Sequence, residues 1–274
     1  MKKMSWEQVR ESILRDHNHS WYEDIYLRNK DTKEKNALFY RGTYVTYGEF
    51  FFLVEAYAKA LKQYGVSKGD EFIACVRQTP DYPILVAAAS LIGAKINLCV
   101  ADFDKDYLLQ IIENANADVV LVADWDFVTM SPVLRRMDAR KTIVVLPVDN
   151  WGKKGNPYAE ITERFFRFDK DEYERTAANF DNLIGLERFL NDGKNYTGEV
   201  NGHGKLGDDL AITYTSGSTR KGIHKGVVQR NETYIIMGRY HDPEVAGIPK
   251  MENTITLAAI GTQADTTLMT GVSD

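Results

Sequence analysis

Between residues 71 and 146 the chain alternates short apolar runs with segments of helical length, and this alternation limits the possible folds more than any other feature. Glu71–Val76, Lys95–Val100, Asp118–Ala123 and Lys141–Leu146 are too short for stable helices and are rich in Val, Ile, Leu and Ala. Asp81–Ile92, with Pro83 in its first turn, and Asp104–Asn114 predict intervening helices, and residues around Val133–Met137 predict a helical piece before the fourth run. Strands that are apolar throughout must be covered on both faces, and a helix between successive strands carries the chain back to the same end of the sheet. The pattern predicts an α/β fold in which a mostly parallel sheet is flanked by helices.

The flanking regions follow other local rules. Trp6, Val9, Ile13 and Leu14 have helical spacing, and a loop rich in Asn and Lys follows up to residue 36. Ala37–Tyr40 and Thr43–Val45 surround Arg41-Gly42, which predicts a tight hairpin. Thr46 and Glu49 have capping-box spacing, and Phe50, Leu53, Val54, Tyr57, Leu61 and Tyr64 continue at i, i+3, i+4, i+7 until Gly65 can end the helix. This aromatic stripe reads as core packing. Residues 147–207 form a polar excursion with a helical piece at Leu183–Leu190, leading to a strand at Asp208–Tyr214. Gly226–Gln229 predicts a short strand, Asn231–Arg239 a helix, and Thr254–Ile260 a buried strand before a polar turn that holds Gln263 and Asp265.

Composition excludes several classes. A net charge of −5 over 274 residues gives no basic surplus for nucleic acid. No apolar run reaches spanning length and the N-terminus lacks an apolar leader core, so a soluble cytoplasmic chain is expected. Cys75 and Cys99, the two cysteines, lie in strands predicted to be buried and read as reduced core residues. His17, His19, His203 and His241 show no metal-ligand spacing, and no Gly-x-Ser-x-Gly elbow is present.

The chemistry concentrates in residues 214–227. After the strand come Thr215, Ser216, Gly217, Ser218 and Thr219, then Arg220, Lys221 and Lys225. Small residues admit a ligand close to the backbone, hydroxyl and N–H groups donate hydrogen bonds, and cations neutralise charge, a set suited to a polyphosphate. A solvated loop is the composition-only alternative. The Walker A loop does not fit, because Gly217 and Gly222 have its spacing but Ile223 stands where its lysine belongs.

Residues 214–227 resemble the phosphate-binding signature of the adenylate-forming superfamily, which comprises acyl-CoA synthetases, nonribosomal-peptide adenylation domains and luciferases. Tyr214 to Thr219 match its first half, and Lys225-Gly226-Val227 its second. Arg220 replaces a usual glycine, His224 replaces a usual proline, and the linker is two residues longer. Residues 46–99 are similar to the N-terminal region of the same superfamily, through Thr46-Tyr-Gly-Glu-Phe, Gly65-Val-Ser-Lys-Gly-Asp70 and Gly93-Ala. The resemblance implies activation of a carboxylic acid by ATP with Mg2+ through an acyl-adenylate, followed by transfer to coenzyme A. It implies phosphate contacts from Thr215, Ser216, Gly217, Ser218 and Thr219, with Lys225 as the catalytic cation on the leaving pyrophosphate. It further implies an N-terminal subdomain over 1–206 and the start of a second over 207–274. The adenine, ribose and catalytic-lysine segments would lie beyond residue 274, so the chain is expected to be an N-terminal portion that is inactive alone. A peptide-synthetase-type adenylation fragment and a non-catalytic nucleotide-binding scaffold are the alternatives.

Overall fold

The structure is a computed structural model and describes residues 6–15, 18–138, 140–151, 168–215 and 225–240. The hairpin is β1 (Asn36–Tyr40) and β2 (Thr43–Thr46), antiparallel around Arg41 and Gly42, which both take positive φ. Two successive positive-φ residues give the turn a twist that suits a two-residue hairpin. The central sheet has seven strands in the order β7-β6-β5-β3-β4-β8-β9. They are β3 (Glu71–Cys75), β4 (Lys95–Leu98), β5 (Val119–Ala123), β6 (Thr142–Leu146), β7 (Leu183–Gly185), β8 (Asp209–Tyr214) and β9 (Gly226–Arg230). All pairs are parallel except β8–β9. The expected mostly parallel α/β architecture is therefore present. One sheet runs across residues 206 and 207, since β8 pairs with β4.

The strand pleat divides the interior in two. Phe72, Ala74, Ile96, Leu98, Leu121 and Val144 face a core built from α2 (Trp21–Asn29), α3 (Tyr47–Gln63), α4 (Asp81–Ile92) and α8 (Leu186–Gly193). Ile73, Cys75, Cys99, Val120, Val122 and Ile143 face the opposite core, built from α5 (Lys105–Asn114), α6 (Asp124–Leu134) and α7 (Lys170–Ala177). Helices α1 (Trp6–Leu14) and α9 (Asn231–Tyr240) complete the described elements, apart from a single 3-10 turn at Val148–Trp151. Every residue of α4 is buried, which fits a helix flanked by other helices and the sheet. The Thr46–Glu49 capping box forms in both directions.

Three local expectations are corrected. Residues 21–29 are a helix, not a loop: Ser20 caps it by accepting from the Glu23 N–H, and Trp21 is buried 5.2 Å from the Tyr234 ring. The helix expected near Val133–Met137 begins at Asp124, directly after β5, and holds Pro132 near its C-terminal end. Leu183–Leu190 is not one helical piece, since Leu183–Gly185 joins the sheet edge beside β6 before α8 begins. A three-residue strand is too short to carry a period of its own. The expected strand at 254–260 and the turn with Gln263 and Asp265 lie outside the described residues.

Cys75 and Cys99 are buried free thiols, and burial pushes both upward in pKa, Cys99 to about 12. Among the described residues no helix is long and apolar enough to cross a membrane.

Candidate functional site

In a parallel sheet the segments following each strand open onto one edge, and ligands of open α/β sheets collect there. Strand β8 is parallel to β4, so its last residue, Tyr214, and Thr215 after it lie at this edge. Thr215 and Lys225 are joined there. The Thr215 N–H donates to the Lys225 carbonyl at 3.0 Å, and the Lys225 N–H donates to Thr215 Oγ1 at 3.0 Å. The hairpin register then continues through Tyr214 opposite Gly226 and Thr213 opposite Val227. Its far end is fixed by Asn231, which is buried. The Asn231 Nδ2 donates to the Asp208 carbonyl at 3.1 Å, while its Oδ1 accepts from the Trp21 N–H and from Ser90 Oγ.

Of the residues singled out in the sequence, Thr215 and Lys225 are thus brought together, both exposed. Ser216, Gly217, Ser218 and Thr219, together with Arg220, Lys221 and His224, lie outside the described residues.

Tyr214 leads into the loop. Its hydroxyl donates to Asn97 Oδ1 at 2.5 Å, and its ring meets Tyr107 and Phe103 edge-on at 6.0 and 6.4 Å. Burial is the main cause that raises its pKa, with Cys99, Tyr107 and Glu71 adding to it. Asn97 in turn donates from Nδ2 to Glu71 Oε2 at 2.9 Å, and Lys95 Nζ lies 2.6 Å from Glu71 Oε1. Sequence reading passed over Asn97. The available signal was a single amide inside the apolar run Lys95–Leu98, on a strand covered from both sides.

Further along the same edge, Arg77 follows β3 and grips Asp126 at the start of α6 in two places. Nε reaches Oδ2 at 2.9 Å and a terminal nitrogen reaches Oδ1 at 2.5 Å. Burial raises the Asp126 pKa, and Arg77 pulls it back. Asp124 beside it is pushed up to about 6 by burial, against hydrogen bonds from the Val148 and Trp125 N–H groups to its Oδ1. Asp81, 1% exposed, accepts from Tyr57, from Thr79 Oγ1 at 3.1 Å and from Trp151 Nε1 at 2.6 Å. Its pKa is raised by burial, which these three donors offset in part. Sequence reading found none of these carboxylates, because most of their partners, Arg77, Val148, Tyr57 and Trp151, lie far along the chain.

The comparisons with known proteins fit this arrangement. The profile of the AMP-binding enzyme family matches residues 27–260, and the chain belongs to that family. It is 27% identical over 191 residues to the 3-hydroxypropionyl-coenzyme A synthetase of Metallosphaera sedula, covering 70% of this chain and 26% of that protein. It is 24% identical over 280 residues to the acetyl-coenzyme A synthetase of Helicobacter pylori strain HPAG1, covering 95% of this chain and 40% of that protein. The chain thus spans between about a quarter and two fifths of the length of these curated relatives. Among solved structures, the acetoacetyl-CoA synthetase of Streptomyces lividans superimposes with a TM-score of 0.66 at 14% identity, over 93% of this chain and 38% of that one. An anthranilate CoA ligase in complex with anthranoyl-AMP gives 0.60 at 13% identity, over 82% and 36%. These two likenesses establish the fold.

Proposed function

We propose that the loop between β8 and β9 is the polyphosphate grip of an acyl-CoA synthetase-type protein, which activates a carboxylic acid with ATP and passes the acyl group to coenzyme A. The observation that carries this reading is the two-way closure between Thr215 and Lys225 at the carboxyl edge of the sheet. The closure brings the hydroxyl of Thr215 against the backbone of Lys225. In the proposed reaction the carboxylate oxygen attacks the α-phosphorus, the bond to the bridging oxygen breaks, and pyrophosphate leaves with the electron pair. Such a transfer asks the protein mainly for positioning and charge neutralisation. Thr215, Ser216, Ser218 and Thr219 would donate to phosphate oxygens, Gly217 would admit them close to the backbone, and Lys225 would meet the charge developing on pyrophosphate.

Magnesium would arrive on the nucleotide's own phosphate oxygens. Among the described residues no group of three His, Cys, Asp or Glu side chains could hold a metal ion. The coenzyme A synthetases among the relatives support acyl transfer to coenzyme A over a peptide-synthetase role.

Isothermal titration of ATP into the polypeptide and into Lys225→Ala tests the reading. Loss of a charge-assisted phosphate contact should cost about 1.5–3 kcal/mol of binding. Equal affinity in the two proteins would remove Lys225 from the site. Acid-dependent exchange of pyrophosphate into ATP by this polypeptide would identify an enzyme and overturn the expectation that it is inactive alone.

A further inference from the structure

We infer that Tyr214 and Asn97 are a positioning pair, whose hydrogen bond holds the entry to the phosphate loop in place and so sets how tightly the loop grips a polyphosphate. This rests on the polyphosphate reading of the loop. Asn97 is 1% exposed in the middle of a sheet, where an amide is unfavourable unless both its ends are satisfied. Both are, and their roles are fixed. The Glu71 carboxylate can only accept, so it takes Nδ2, which leaves Oδ1 for Tyr214 and obliges the tyrosine hydroxyl to donate. The chain thus runs one way from β8 through β4 to Glu71 on β3, where it ends, and Lys95, back on β4, meets the other oxygen of Glu71.

Stability alone does not account for this chain. A phenylalanine and a leucine would fill nearly the same space, and replacing both partners of a buried hydrogen bond with apolar groups is close to neutral. The polar pair adds direction. Tyr214 is followed by Thr215, which closes on Lys225 through both of its hydrogen bonds. The Tyr214 ring also lies against Gly226, where a Cβ would stand 3.3 Å from the ring. A fixed ring therefore bears on both ends of the loop.

The test uses the purified polypeptide, with ATP and inorganic tripolyphosphate titrated separately into the parent, Tyr214→Phe, Tyr214→Phe with Asn97→Leu, and Lys225→Ala. Tyr214→Phe should bind both ligands about threefold to tenfold more weakly, the range that one lost hydrogen bond allows. In the double variant Glu71 loses the Asn97 donor but keeps Lys95 and partly faces water, so the melting temperature should return towards the parent's while binding stays weak, a split that a merely structural role would not produce. Amide hydrogen exchange at Thr215 and Lys225, read without ligand, should be about threefold to tenfold faster in both tyrosine variants. Parent affinity in Tyr214→Phe alongside weakened Lys225→Ala would overturn the pair, as would binding that recovers together with the melting temperature. A parent that binds neither ligand, or an unweakened Lys225→Ala, would instead overturn the polyphosphate reading and with it the ligand half of this inference. Exchange at Thr215 and Lys225 would then decide the positioning half, unchanged rates overturning it.

Discussion

The strands β3, β5 and β6 and the β8–β9 hairpin belong to one sheet but are held by different forces. In the first region nearly every side chain is buried, and helices close both faces. In the second, Val227 and Val228 are about half exposed, and the order of the loop base rests on two hydrogen bonds between exposed residues and on one polar chain behind Tyr214. Apolar burial is non-directional and scales with area, so the first region supplies stability. Hydrogen bonds add little net stability but are directional, so the second supplies geometry. Substitutions in the two regions should therefore separate into losses of folding and losses of binding.

The largest effect on folding belongs to the first region. Phe72 is fully buried on β3 and packs into the core shared with α3 and α4. Phe72→Ala should lower stability by about 3–5 kcal/mol, through lost transfer energy and an unfilled cavity. Chemical denaturation followed by circular dichroism measures it. A loss below about 1 kcal/mol would mean that the core collapses around the gap, and the contrast between the regions would weaken.

The same contrast governs how much was legible in the sequence. Strands β3 to β6 and helices α3 to α5 could be read because an apolar run, a capping box or a terminal glycine signals locally. Helix α2 also carries a local signal, the capping-box spacing of Ser20 and Glu23, but the Asn and Lys around it suggested a loop, and the packing of Trp21 on Tyr234, more than two hundred residues away, is not visible in sequence. The polyphosphate loop announced itself through composition, yet the residues that brace it did not. Asn97, Glu71 and Lys95 look unremarkable one at a time, and only strand register brings them to Tyr214. Arg77 with Asp126, and Asp81 with Trp151, are likewise products of topology rather than of spacing.

An intermediate effect is expected at the carboxyl edge, where buried charge opposes folding. Asp124 has a folded pKa of about 6 against an ordinary 3.8, so the folded chain keeps its proton where the unfolded chain has released it. Its contribution is therefore most favourable below about pH 3.8 and is lost as pH rises through about 6. Asp124→Asn keeps an oxygen for the Trp125 and Val148 N–H groups, which both bond Oδ1, and removes the charge. It should stabilise the protein by about 1–2 kcal/mol at pH 7 and by nothing near pH 3. Melting temperatures at the two pH values check the sign, and a variant less stable than the parent at pH 7 would show that the carboxylate is favoured where it lies.

The smallest folding effect, and the sharpest test of the contrast, is at Thr215. Valine has nearly the same shape but no oxygen, so Thr215→Val removes the acceptor for the Lys225 N–H and leaves the main-chain bond to the Lys225 carbonyl intact. The abandoned N–H is exposed and can turn to water, so no buried polar group is orphaned. Stability should change by no more than about 0.5 kcal/mol, as at ordinary surface positions. Affinity for ATP should nevertheless fall by about threefold or more, since one loop closure and one phosphate donor are lost together. Denaturation and titration on the same preparation decide the matter. If Thr215→Val unfolds as readily as Phe72→Ala, the loop base is part of the stabilising core and the division of labour between the two regions fails.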